Sequence, residues 1–210
     1  MARPQDSNAP RVVLLGASAG GVEALSTVVS GLPPDLPAAV LVVLHISAWG
    51  TSVLPDILAR KGPLPAHHAV DGEPVLAGQV YVAPPDRHLT VDGGRLRLDA
   101  GPKENGVRPA IDTLFRSAAT AYGRDVVAVV LSGTLDDGTA GLVAVSERGG
   151  VTIAQDPADA LFSSMPASAV RFARPDHVLA AADIAAVVTS CVNGPDAGAH
   201  AGAKTADAWQ

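Results

Sequence analysis

Cysteine is almost missing from this chain: Cys191 is the only one in 210 residues. A disulfide framework is therefore excluded, and a structural zinc site has no thiolate cluster to build on. Cys191 sits in an apolar C-terminal stretch and reads as a small buried residue. Aromatic residues make up only 3% of the sequence, so platforms for stacking bases are lacking. No Lys/Arg-rich cluster appears, and 15 basic against 21 acidic residues leave a net charge of −6. Nucleic acid is thus not an expected partner. Long hydrophobic runs are absent too. The longest, "AAVLVVL" from Ala38 to Leu44, is far too short to span a bilayer. The opening "MARPQDSNAP" has no apolar core of a secretory signal. These absences give the expectation of a cytoplasmic protein with no membrane insertion and no metal.

What is present is small and aliphatic. Hydrophobic residues make up 48% of the chain, and with so few aromatics the core must be Ala, Val, Leu and Ile. That composition suits helices covering a parallel sheet. Residues 1–10 read as a flexible lead-in, 11–192 as one domain, and the Gly/Ala-rich 193–210 as a disordered tail. Apolar runs at 12–15, 40–44, 79–83, 126–131, 151–154 and 177–179 read as strands covered on both faces. "RPAIDTLFRSAATAY" reads as a helix with Pro109 at its first position and Ile111, Leu114, Phe115, Ala118 and Tyr122 on one face. Alternation around Asp92-Gly93-Gly94 reads as a hairpin. His67 and His68 fall in a Pro-rich stretch that reads as a loop. The fold class expected is α/β: a doubly wound, mostly parallel sheet flanked by helices, with a small β-hairpin excursion. Ligands of such sheets sit at the carboxyl ends of the strands.

The stretch "RVVLLGASAGGVEAL", Arg11 to Leu25, places Ser18 on a glycine-rich turn at such an end. A dinucleotide site is one reading, since a glycine turn before a helix offers free N–H groups to phosphate. It lacks the Tyr-x-x-x-Lys pair of short-chain dehydrogenases: Pro85 and Val126 stand four residues after the two tyrosines. A nucleophile elbow is a second, because Gly16-Ala17-Ser18-Ala19-Gly20 fits G-x-S-x-G. With the chain order of α/β-hydrolases it would recruit Asp137 and His177. The third reading keeps the nucleophile and pairs it with His45, after "VLVVL", and an aspartate of "TLDDGTAG". Those residues also stand just past probable strand ends. Each has a plain structural role besides: Ser18 as a helix cap, His45 as a bonded strand-end histidine, Asp136 or Asp137 as the cap of a helix starting near Thr139. His88, in "APPDRHLTV", reads as turn packing or as a border of the site.

The segments "LLGASAGGVEAL", "VLHIS", "DGEPVLAGQVYVAPPDRHLTV", "RPAIDTLFRSAA", "VVLSGTLDDGTAGL" and "GGVTIAQDPADALFSSMPASAV" resemble, in order, the catalytic domain of the chemotaxis protein-glutamate methylesterases. The resemblance covers roughly residues 12–185. It implies a Ser-His-Asp hydrolase that cleaves glutamate methyl esters on chemoreceptors, releases methanol and needs no cofactor; many members also deamidate receptor glutamines. Matched to the family's motifs, Ser18 is the nucleophile, His45 the base and Asp137, directly before Gly138, the orienting carboxylate. Ala19, Thr134 and Leu135 fall near the oxyanion site, and Met165 in the Met-Pro segment beside it. The alternative is a non-catalytic adaptor or nucleotide-binding module on the same fold.

This sequence departs from the family's pattern at several of these places. Ala19 replaces the usual Thr, Thr134-Leu135 the usual run before the aspartate, Ala110 the Ser of Pro-Ser-Val-Asp, and Ile46-Ser47 the Met-Pro after the histidine. "SSMP" replaces a Tyr-Gly-Met-Pro-like stretch. The family's best-known members carry an N-terminal receiver domain. With about ten residues before the first strand the expectation is that none is present here, leaving the activity unregulated, regulated in trans, or the chain a piece of a longer one.

Overall fold

The computed structural model describes residues 11–46 and 52–194. The lead-in 1–10, Ser47, His200 and the tail from 195 lie outside the described residues.

Seven parallel strands form one sheet in the order β3 (Ala66–His68), β4 (Val80–Val82), β2 (Ala38–Leu44), β1 (Arg11–Ala17), β7 (Val126–Val130), β8 (Val151–Gln155), β9 (His177–Leu179). The first strand, β1 (Arg11–Ala17), is central, with β2 (Ala38–Leu44) on one side and β7 (Val126–Val130) on the other. These three are apolar almost throughout, because both faces are covered. Val12 and Leu14 enter one core and Val13 and Leu15 the other, the two-residue alternation of a strand with apolar groups on both sides. Helices α1 (Gly21–Ser30), α2 (Leu54–Lys61) and α6 (Ala181–Asn193) lie over one face. Helices α3 (Ile111–Tyr122) and α4 (Thr139–Glu147), with the hairpin, lie over the other. The chain leaves β1 toward β2 and returns to β7 on the opposite side, so a crevice opens at the carboxyl end of β1.

The expected hairpin is β5 (His88–Asp92) paired with β6 (Arg95–Asp99). Gly93 (φ 55°) and Gly94 (φ 75°) form its two-residue turn, whose left-handed backbone glycine adopts without strain. At the far end of the domain, Arg11 donates through Nη1 to the carbonyls of Cys191, Val192 and Gly194, closing the C-terminus of α6. Cys191 is half-buried, and burial pushes its thiol up, away from reactivity.

Two expectations are corrected. His67 and His68 are not in a loop: Ala66–His68 is the edge strand β3, paired with β4 (Val80–Val82), and His67 packs edge-on against Tyr81 and bonds Glu73 at 3.1 Å. Three partly polar residues carry too little alternation to reveal a strand, and short edges are a common way of blunting a sheet. Pro109 is not the first helical residue. The helix begins at Ile111 with Ala110 at the cap, because the N–H groups of Ile111 and Asp112 are bound by a carboxylate from another segment.

Candidate active site

Three loops meet where β1, β2 and β7 end. Ser18 is the first residue after β1. Its N–H donates to Ser132 O at 3.0 Å, and its carbonyl accepts from Gly21 at 2.9 Å. Ser18 does not cap α1; the cap position is Gly20 at φ 69°, and no side chain bonds there. A side chain at Gly20 would strike the Ser132 hydroxyl and Leu161 as well as strain the backbone. The turn is tight for a further reason. At Gly133 a methyl group would meet Ser18 Cβ at 2.9 Å and Met165 Cε at 2.5 Å, so only glycine lets the β7 loop approach the serine.

His45 is the first residue after β2. Its N–H donates to Ala17 O at 3.1 Å, which continues the β1–β2 ladder by one step and sets His45 beside Ser18. Its ring Nε2 bonds Asp137 Oδ2 at 2.7 Å. Asp137 lies on the loop after β7, whose departure is fixed by Leu131 N–H donating to Gly16 O at 2.8 Å.

Asp137 is 3% exposed and its carboxylate is fully engaged. Oδ2 accepts from His45 and from Ile111 N–H at 2.7 Å; Oδ1 accepts from Asp112 N–H at 3.0 Å and Asn105 Nδ2 at 3.1 Å. Burial works against the charge, but the bonds from His45, Ile111 and Asp112 outweigh it and hold the acid below the usual carboxylate range. The positive end of α3 acts in the same direction. Asp112 returns the arrangement: its Oδ1 accepts from Gly138 N–H at 3.0 Å and Gly141 N–H at 2.6 Å, at the start of α4. Burial, with the charge of Asp137 nearby, raises the Asp112 carboxyl despite the Gly141 bond. An ionised Asp137 makes Nε2 of His45 the protonated nitrogen and leaves the Nδ1 lone pair as the ring's basic site.

The remaining expected residues are distributed as follows. Asp136 is exposed and gives only its carbonyl, to Thr139. Thr134 and Leu135 are exposed, with Leu135 held at φ 65° and 72% accessible. The Ala19 carbonyl accepts from Ser132 Oγ at 2.8 Å. Met165, in the short helix α5 (Ser164–Ser168), is fully buried, and its N–H donates to Gly133 O. His88 is a packing residue: its Nδ1 accepts from Ala110 N–H and its Nε2 donates to Pro102 O. His177 opens β9 (His177–Leu179) opposite Ile153, upstream of the strand end, and is not brought to the serine.

Sequence reasoning missed Ser132, Asn105 and Asp112. Ser132 ties the serine turn to the 162 loop, donating to Ala19 O and accepting from Phe162 N–H at 3.0 Å, while Gln155 Oε1 holds its own N–H at 2.8 Å. Among the described residues no three His, Cys, Asp or Glu side chains are grouped to hold a metal ion. No helix among them is long and apolar enough to cross a membrane.

Fold and site together define a class: a doubly wound α/β protein with a serine turn and a histidine bonded to a buried aspartate at its topological switch point, the residue types that serine hydrolases use. The CheB methylesterase family model matches residues 13–188, and the chain belongs to that family. Relatives include protein-glutamate methylesterase/protein-glutamine glutaminase 2 of Anaeromyxobacter dehalogenans, 41% identical over 85% of this chain and 52% of its own. Another is protein-glutamate methylesterase/protein-glutamine glutaminase 4 of Myxococcus xanthus, 41% identical over 88% of this chain and 53% of its own. The chain thus spans about half the length of the curated relatives it matches. The crystal structure of the Thermotoga maritima CheB methylesterase catalytic domain superposes with a TM-score of 0.82 at 35% identity, covering 86% of this chain and 98% of that one.

Proposed function

We propose that this chain is a serine esterase that hydrolyses methyl esters of glutamate side chains on proteins, with the cytoplasmic domain of a chemoreceptor as substrate and methanol as product. The observation that carries it is the 2.7 Å bond from His45 to a buried, ionised Asp137, directly beside Ser18 at three adjacent strand ends. Because Asp137 occupies Nε2–H, Nδ1 of His45 takes the Ser18 proton as the hydroxyl attacks the ester carbonyl. The same proton goes to the methoxide as it leaves, so methanol departs neutral. Water then enters, loses a proton to Nδ1, and releases the glutamate carboxylate and Ser18. Applied to a glutamine carboxamide, the route releases ammonia.

The oxyanion needs donors that the fold has not already used. The N–H of Ser18 is committed to Ser132 O, and that of Gly133 to Phe162 O. Among the described residues no acceptor takes the N–H groups of Ala19, Gly20, Thr134 or Leu135, and these are the donors we assign. Ala19 and Gly20 stand at the N-terminus of α1, whose dipole favours negative charge.

The test is methanol release from a methylated chemoreceptor cytoplasmic domain. The wild-type chain is expected to release methanol until the esters are consumed, and Ser18→Ala to release none above background. Equal rates for the two would end this reading. An adaptor would bind the receptor and release no methanol.

A further inference from the structure

We propose that Asn105 is a positioning residue for this reaction: its side-chain amide bridges the two buried carboxylates and fixes the orientation in which Asp137 meets His45. The inference rests on the functional reading above and deepens it.

The bridge begins with a turn. Glu104 and Val107 exchange backbone bonds, N–H to O, at 3.1 and 2.9 Å, and between them stand Asn105 at φ 52° and Gly106 at φ 78°. Two successive left-handed residues make the tight turn for which Asn-Gly is the favoured pair. The turn is pinned to α3: Glu104 Oε2 accepts from Arg116 Nη2 at 2.6 Å and from Thr113 Oγ1 at 3.0 Å. The backbone of Asn105 is therefore fixed on both sides, while the residue itself is exposed and adds nothing to the core.

Its amide nitrogen reaches inward. Nδ2 donates at 3.1 Å to Asp137 Oδ1 and at 3.1 Å to Asp112 Oδ2, one hydrogen to each. The other partners of these carboxylates are backbone N–H groups of α3 and of the start of α4, together with His45. Among the described residues Asn105 supplies the bond to the outer oxygen of Asp112. Two like charges this close repel, and a carboxylate can relieve the repulsion by rotating. Rotation of Asp137 would break the aim of Oδ2 at His45. A neutral donor between them opposes rotation without adding charge. A cation at 105 would draw Asp137 off the histidine, and an anion would add to the repulsion. The ionisable groups facing Asp137 are His45, Asp112 and Glu104, with Arg116 beyond them on α3, already paired to Glu104.

Two substitutions separate positioning from packing. Asn105→Gly keeps the left-handed backbone and removes the amide; Asn105→Asp keeps the shape and replaces the donor by an acceptor. Expected is a fall in kcat of about tenfold for Asn105→Gly with KM unchanged. For Asn105→Asp the expected fall is about a hundredfold, with the acidic limb of the pH–rate profile moved to higher pH because the added charge favours protonated His45. A role in packing alone ranks the variants the other way, since aspartate fills the same space. The low-field proton resonance of the His45 ring N–H gives a readout independent of turnover. It should broaden and move upfield in Asn105→Gly while the far-UV circular dichroism stays that of the wild type. Wild-type kcat and an unmoved resonance in Asn105→Gly, or Asn105→Asp the better enzyme, would overturn the proposal. If the wild type itself releases no methanol, the functional reading fails and the resonance alone decides the role of Asn105.

Discussion

Replacing Asp137 by asparagine changes one atom and conflicts with the site on two counts. The carboxylate accepts four bonds, two at each oxygen. An amide accepts on one side only, so its NH2 must face either the His45–Ile111 pair or the Asp112–Asn105 pair of donors. If it faces His45, the imidazole must turn its lone pair to Nε2 and carry its proton on Nδ1, and Ser18 loses its base. If it faces the other way, the charge that stabilises the imidazolium is still gone. The first outcome should lower kcat by about 10⁴-fold, the size of effect that a wrong tautomer brings to such triads, and the second by more than about tenfold through the lost charge. Stability falls as well. Two donors lose a charged acceptor, each bond contributing about 1.5–3 kcal/mol. Relief of the repulsion with Asp112 returns part of this, so a net loss of about 2–4 kcal/mol is expected. Methanol release measures the first effect and urea unfolding the second. Asp136→Asn, at an exposed position with no side-chain partner among the described residues, should change neither. An Asp137→Asn enzyme within tenfold of the wild-type kcat, or a severe loss at 136 with little at 137, would refute the reasoning.

Other perturbations separate the remaining claims. His45→Ala should lose nearly all turnover and His177→Ala keep most of it; the reverse would restore the alternative chain order. Asp112 and Asp137 should act oppositely on stability against pH. Asp137, held below its ordinary value of about 3.9, contributes stability that is full above that pH and is lost as pH falls through its lower folded value. Asp112, raised, costs stability as pH climbs through its folded value, so Asp112→Asn should gain on the wild type in urea unfolding as pH is raised from its ordinary value of about 3.9. A difference that shrinks as pH rises would contradict this. Leu135→Gly should leave the unfolding free energy level or raise it by up to about 1.5 kcal/mol. It relieves a left-handed leucine worth about 1–2 kcal/mol against an entropic cost of about 0.5–1 kcal/mol, and the side chain is 72% exposed. A loss above about 1 kcal/mol would show that Leu135 is held by contacts.

The convergence of Ser18, His45 and Asp137 at adjacent strand ends was legible because each follows an apolar run, and in a parallel sheet such runs end on one edge. The α/β class was legible for the same reason: Val12 to Leu15 and Val126 to Val130 leave no polar face for solvent. The edge strand at Ala66–His68 was not legible, because three residues with two histidines have no detectable period. The start of α3 was misplaced at Pro109 because a local rule for proline was applied where a distant carboxylate decides. Asp112 stands in the first turn of α3, where an acidic residue complements its own helix, and only the fold brings it to the N-terminus of a different helix. Asn105-Gly106 is a turn signal that went unread, and a turn in sequence does not say what its side chain reaches. The commitment of the Ser18 N–H to Ser132 is equally a product of chain crossing, and it leaves Ala19, Gly20 and the 134–135 loop as the donors proposed for the oxyanion.

The account turns on Ser18 being a nucleophile activated by His45. A fluorophosphonate, which bonds to an activated serine hydroxyl with loss of fluoride, tests this without any knowledge of the substrate. Intact-mass and peptide analysis should find one adduct per chain, on Ser18, in the wild type. The adduct should be absent from Ser18→Ala and formed far more slowly in His45→Ala. An unlabelled wild type, or a label that persists in Ser18→Ala, would contradict the account.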